Sequence, residues 1–243
     1  LKKEYWYILI AYIGMHLSSL IGVPFIAFWG TLFGKSMKDM ETFAVSSWIV
    51  ISFTLAFIII LVFLRKEIKD SFSMRHTTST GSSIAWAIGG VFLALFAQSI
   101  AANIENLLGI EMGSENTQQI IRLIQASPLV VVISSIIGPI LEEIVFRKII
   151  FGTIHKRLNF FLSALISSII FAVAHFEFEH ILLYSAMGFT FAFLYVKTKR
   201  ILVPIFAHVA MNTLVVIIQF NRENIENWIK EAEKMQSFIG GFL

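Results

Sequence analysis

Two adjacent carboxylates and a guanidinium interrupt an apolar stretch, Gly138-Pro139-Ile140-Leu141-Glu142-Glu143-Ile144-Val145-Phe146-Arg147-Lys148. One charged side chain at the centre of a bilayer helix costs about 3 kcal/mol on insertion scales. Three charges in six residues must therefore compensate one another, face a wet cavity, or both. On a helix, Glu143 and Arg147 are four apart and share a face, with the acid N-terminal to the base, the favourable order. They read first as an internal ion pair that fixes helix packing. Glu142 points about 100° away and finds no local partner, so its carboxylate is free for chemistry.

Three more polar side chains break apolar helices: His175 in Phe171-Ala172-Val173-Ala174-His175, and His208 with Asn212 in His208-Val209-Ala210-Met211-Asn212. His208 and Asn212 are i and i+4 and face one way. A carboxylate and an imidazole can bind and deprotonate a water, as general-base catalysis requires. A second imidazole and an amide N–H can stabilise an oxyanion on a scissile carbonyl. The alternative use of Glu142, His175 and His208 is a three-ligand open metal site. No local signature such as H-E-x-x-H supports it, so the spacing argues only weakly for a metal.

The elements that would carry these residues follow from hydropathy. Of 243 positions, 57% are hydrophobic and only 14% charged, against about 25% charged in soluble domains. The mean hydropathy is +0.79, and 24 phenylalanines exceed what one soluble core can hide. The fold class expected is all-α, a multi-spanning transmembrane helix bundle embedded in a lipid bilayer. Apolar stretches near the 20 residues a crossing needs lie at about 5–33, 43–64, 82–108, 127–147, 159–176, 179–196 and 201–220. The fifth and sixth are short and read as a hairpin that need not cross fully. Residues 113–126, opened by Ser114 as a cap, read as an amphipathic surface helix; the tail after Asn221, with Glu223, Glu226, Trp228, Ile229 and Lys230, reads similarly. No cleavable signal is expected after Lys2-Lys3. Without a repeat or linker, 1–243 is expected to be one domain, with 127–220 as its catalytic core.

Basic residues set the orientation. Lys2, Lys3, Arg65, Lys66, Lys69, Arg75, Lys148, Lys156, Arg157, Lys197, Lys199 and Arg200 fall on one side. The other side has Lys35, Lys38, a 103–119 loop containing Glu105, Glu111 and Glu115 but neither Lys nor Arg, and a tail of mixed charge. The positive-inside rule then gives a cytoplasmic N-terminus and an outward C-terminus. Lys148 near the inner boundary puts Glu142 about 9 Å inside the membrane. A turn at 156–158 brings His175 to similar depth, and His208, about eight residues into the last span, joins them. Gly138-Pro139 is expected to kink the helix beside Glu142. The net charge of +3 is small and dispersed, so no nucleic-acid partner is implied. With no cysteine, disulfides, thiolate metal sites and a cysteine nucleophile are unavailable.

The ordered set Glu142-Glu143-x-x-x-Arg147, Phe171-x-x-x-His175 and His208-x-x-x-Asn212 resembles the CAAX prenyl protease and bacteriocin-processing (CPBP or Abi) family of intramembrane endopeptidases. The likeness covers about 127–220, and its second half looks like the YdiL-type membrane peptidases of the bacterial cell membrane. The resemblance implies that Glu142 and His175 activate water, that His208 and Asn212 hold the oxyanion, and that Glu143 and Arg147 support the site. It implies a peptide or protein substrate and a pocket open to the cytoplasmic side. On cofactors it leaves two forms, a metal-free glutamate mechanism, which is preferred, and a divalent metal such as zinc.

Each residue also has a plainer reading. A lone membrane histidine often only bonds a neighbouring helix, and Asn212 can be a packing amide. Glu177, Glu179 and His180 flank His175 and have two readings, as lining of the cavity or as a solvated hairpin turn, the latter preferred; His16, His76 and His155 read as interfacial or loop residues. Two other functions fit the composition: a proton-coupled transporter using the buried Glu/His set as a relay, and a catalytically silent scaffold for a partner protein.

Overall fold

A computed structural model describes residues 1–71, 78–222 and 224–231. Arg75, His76, Thr77 and Glu223 lie outside the described residues. Every described element is helical. They are α1 (Lys3–Leu17), α2 (Ser19–Leu32), α3 (Met37–Ser71), α4 (Thr80–Leu107), α5 (Glu115–Ala126), α6 (130–154), α7 (Phe160–Val173), a 3-10 turn (Phe178–His180), α8 (Ile181–Thr198) and α9 (Leu202–Phe220); residues 224–230 of the tail are also helical.

Four described segments are long and apolar enough to cross a membrane: Met40–Lys69, Thr80–Leu107, Phe178–Thr198 and Leu202–Phe220. The α1–α2 pair, bent by 40°, makes a fifth. Of the two spans expected to be short, the sixth is full length at 21 residues, while α7 has only 14. The first expected span breaks at Ser18 because hydroxyls take over its backbone acceptors: Ser18 Oγ bonds Met15 O at 2.6 Å and Ser19 Oγ bonds His16 O at 2.7 Å. Such back-bonding bends helices. Trp48 Nε1 donates to Ser18 Oγ at 3.0 Å and holds the bend against α3.

The basic residues do gather at one end. Lys148 Nζ is 2.9 Å from Glu67 Oε2, and Lys2 pairs with Oε1 of the same carboxylate. Arg200 Nε donates to Thr78 O at 3.0 Å, tying the α8–α9 turn to the start of α4. The opposite end holds Glu105, α5 and the 174–180 turn, joined through His180–Glu105 and Glu177–Asn116 contacts. Helix α4 begins at Thr80, just before the apolar stretch expected at 82–108, because Ser79 caps it by accepting from Ser82 N.

The helices that carry the polar motifs pack closely. Helix α8 lies against α4 and α7, and α9 lies against α4 and the start of α6. Phe171 and Phe191 are fully buried between them. At the α7–α8 crossing, a Cβ on Gly188 would sit 2.9 Å from Ser168 Cβ and 3.0 Å from its Cα. Small residues let membrane helices approach this closely. Gly188→Val should cost about 1–3 kcal/mol, the usual price of overpacking, and spread α7 from α8. The check is the thermal midpoint in detergent; an unchanged midpoint would mean the crossing tolerates a side chain.

Candidate active site

Helix α6 is not a plain α-helix. Ile133–Ile137 and Glu143–Phe151 are π-type, flanking an α-helical turn at Gly138–Glu142. In the first π stretch Gly138 N bonds Ile133 O, five residues back. One residue on, the same register would need an N–H from Pro139, which has none. Ser134 O is thereby left free, and Asn212 Nδ2 on α9 donates to it at 3.3 Å. The proline expected to kink the helix thus frees an acceptor that anchors a motif residue.

Glu143 is the buried hub. It is 0% exposed, and its Oε2 lies 3.2 Å from Arg147 Nε, the i,i+4 ion pair. Its Oε1 lies 2.8 Å from His208 Nδ1. The guanidinium, 1% exposed, finds no hydrogen-bond partner for its two terminal nitrogens among the described residues. Instead it lies over the rings of Phe171 at 4.2 Å and Phe191 at 5.3 Å. A desolvated cation on two aromatic faces gains attraction that partly replaces lost water. The carboxylate of Glu143 can only accept from His208 Nδ1–H, leaving Nε2 to face the cavity. That nitrogen is 3.7 Å from Glu142 Oε2, longer than a hydrogen bond. The imidazole stacks on Phe191, centroids 4.6 Å apart.

Glu142, 20% exposed at its side chain, sits on the wall of a cavity of about 810 Å³. His175, His208 and Asn212 line the same cavity. His175 Nδ1 is 2.8 Å from Phe171 O; a carbonyl only accepts, so Nδ1 carries the proton and Nε2 offers a lone pair. The four residues from α6, the end of α7 and α9 therefore share one space, and Glu143 and Arg147 lie behind its wall.

Sequence reasoning missed several neighbours. His16, taken as interfacial, lines the cavity from α1, its ring edge-on to Tyr12 at 4.9 Å and Phe53 at 5.7 Å. Tyr184 of α8 stacks on His175 at 4.1 Å. Glu177 and His180 are not a solvated turn. His180 is buried, with Nδ1 2.9 Å from Glu105 Oε2 and Nε2 3.0 Å from Gly113 O. Glu105 Oε1 accepts Leu183 N at 2.9 Å, satisfying an orphan donor in the first turn of α8. Glu177 accepts Asn116 N at 2.7 Å, the Ser114 hydroxyl and the Tyr184 hydroxyl. Ser114 also caps α5 through Thr117 N. The one available signal was the run of acids without bases at 103–119, facing a histidine in the next turn.

Burial alone would raise the pKa of Glu177, but the Asn116 N–H, Tyr184 and Ser114 bonds outweigh it and hold the carboxyl below its ordinary 4.5. A depressed folded-state pKa adds stability in full above the unfolded value, and that stability is lost as pH falls through the folded one. The protection of the amides at 115–118, taken relative to an unstructured peptide at the same pH, should therefore be high near neutrality and fall under acid. In Glu177→Gln the exchange should be fast at neutral pH, with the acid step gone. Equal protection in both proteins would show that other contacts hold α5.

The family resemblance allows a divalent metal at this site. Among the described residues no group of three or more His, Asp or Glu side chains is placed to hold an ion. The described residues as arranged do not fit a metal centre.

Its similarity to known proteins places the chain in the CAAX endopeptidase family of membrane proteases. Residues 124–214 match the model of the type II CAAX prenyl endopeptidase Rce1-like family. The chain is 49% identical over 243 residues, 99% of both chains, to the "Putative membrane peptidase YdiL" of Bacillus subtilis (strain 168). It is 31% identical over 224 residues to the membrane-embedded CAAX protease MroQ of Staphylococcus aureus (strain USA300), covering 89% of this chain and 87% of that one. No solved structure matches. The protein is a membrane endopeptidase acting on a peptide or protein substrate.

Proposed function

We propose that the protein hydrolyses a peptide bond in a membrane-associated peptide or protein tail, with water activated by Glu142 and His175. One observation carries this reading: of the two adjacent carboxylates, Glu143 is sealed by Arg147 and His208, while Glu142 faces the cavity. A water held between Glu142 and His175 Nε2 gives its proton to the Glu142 carboxylate as its oxygen adds to the scissile carbonyl. The oxyanion is met by the second Asn212 N–H and by His208 Nε2–H when that nitrogen is protonated. Collapse breaks the C–N bond, and Glu142 returns the proton to the leaving amine. Glu143 acts through His208, fixing its ring and tautomer, and Arg147 acts through Glu143. The names of its relatives make a prenylated tail one candidate substrate, beside leader peptides and other membrane-protein tails.

The test is comparative peptidomics of membranes from cells carrying wild-type protein or His175→Ala. Fragments released by wild type should be missing from the variant at equal protein levels. Identical fragment sets would reject the assignment of His175.

A further inference from the structure

The cavity occupies only one half of the bundle. Its lining begins at Tyr12 on α1, ends at Phe53 on α3, starts at Gln98 on α4 and at His208 on α9, and stops at Met187 on α8. Nothing between Glu142 and Ala174 contributes to it. Toward the basic end the space is closed by packed side chains: Leu141, Ile149 and Phe171 are 0% exposed, and Glu143 with Arg147 forms the floor. Toward the other end it reaches exposed polar residues, Gln118 and Gln119 on α5, Gln219 at the end of α9, and Arg222. Helix α5 lies beside this mouth, pinned by the Glu177 and His180 contacts.

The basic end carries Lys2, Lys3, Arg65, Lys66, Lys148, Lys156, Arg157, Lys197, Lys199 and Arg200, which places it in the cytoplasm. The mouth is at the opposite end. This differs from the cytoplasmic opening implied by the family resemblance. The reason is packing: the second π stretch of α6 carries Glu143 and Arg147 into the floor and seals the inner half.

We propose that substrate enters beside α5 from the outer face of the membrane, so that the enzyme cleaves a polypeptide segment exposed on that side. The inference rests on the hydrolytic reading for its readout, but not for its topology. A polar rim suits a hydrated backbone entering from water rather than a chain arriving through lipid. A volume of about 810 Å³ lies in the upper part of the range of ligand sites, roughly 300–1,000 Å³, enough for a short extended peptide stretch.

The sequence has no cysteine, so single-cysteine variants report without background. Gln219→Cys and Gln118→Cys, with Lys156→Cys for the basic end, are exposed to a membrane-impermeant sulfonated maleimide on intact cells. The mouth positions should label and Lys156→Cys should label only after lysis. Labelled Gln219→Cys should then lose most of the fragment release that the same variant shows before labelling. Labelling of Lys156→Cys in intact cells, with protected mouth positions, would overturn the outward entry. So would full cleavage after quantitative labelling of both mouth positions. A wild-type protein that cleaves nothing would instead sink the hydrolytic reading and leave the labelling pattern to judge the topology.

Discussion

Glu142→Gln should abolish peptide release, with a loss of about two to four orders of magnitude, the span assigned to a positioned general base, while the folded protein accumulates normally. The substitution keeps the size of the side chain and a hydrogen-bonding oxygen but removes the basic lone pairs. Because Glu142 lies on a cavity wall, 3.7 Å from His208 Nε2 and outside any hydrogen bond to it, neutralising it breaks no buried pair. Stability and yield should therefore match wild type. The comparison is release rate against thermal midpoint in the same membranes. Substantial residual cleavage would move the base to another group, and joint loss of fold and activity would make Glu142 structural.

Glu143→Gln should show the converse. It leaves the Arg147 guanidinium buried without its counter-charge, a loss that costs about 3–5 kcal/mol when one partner of a buried pair is removed. The rings of Phe171 and Phe191 remain over the cation but cannot neutralise it. The folded fraction should fall sharply. Glu143→Gln with Arg147→Met removes both charges and should recover most of the folded protein, since buried pairs replaced by apolar groups are often neutral in stability. The glutamine oxygen still accepts from His208 Nδ1, so the double variant should cleave better than its single parent. Equal yields of single and double variants, read by size-exclusion recovery, would contradict the pairing.

Local spacing reveals local partners. Glu143 and Arg147 meet because four residues return a helix to the same face, and the separation of Glu142 from them follows from the same 100° step. The all-helical character and the gathering of basic residues at one end were equally legible, since hydropathy and Lys/Arg placement need no tertiary information. The number of crossings was not, because seven apolar stretches were expected and four described segments, with one bent pair as a fifth, are long and apolar enough. The contact between Glu143 and His208, 65 residues apart, depends on how α6 crosses α9 and on two π stretches that rotate side chains off the α-helical register. His16 reaches the cavity because α1 and α2 bend at Ser18, and that bend comes from hydroxyl-to-carbonyl bonds invisible to hydropathy. Tyr184 and Glu177 join the site through a close α7–α8 crossing at Gly188, set by a missing side chain. The direction of the cavity was hidden for the same reason: it depends on which half of each helix packs tightly.

The most direct measurement follows oxygen from solvent into product. Membranes containing wild-type protein are incubated in water enriched in oxygen-18, and the new C-termini are read by mass spectrometry. Fragments dependent on the enzyme should carry one heavy oxygen at the new carboxyl, and Glu142→Gln membranes should yield none of them. The same labelled fragments at the same rate from Glu142→Gln would contradict activation of water by this carboxylate.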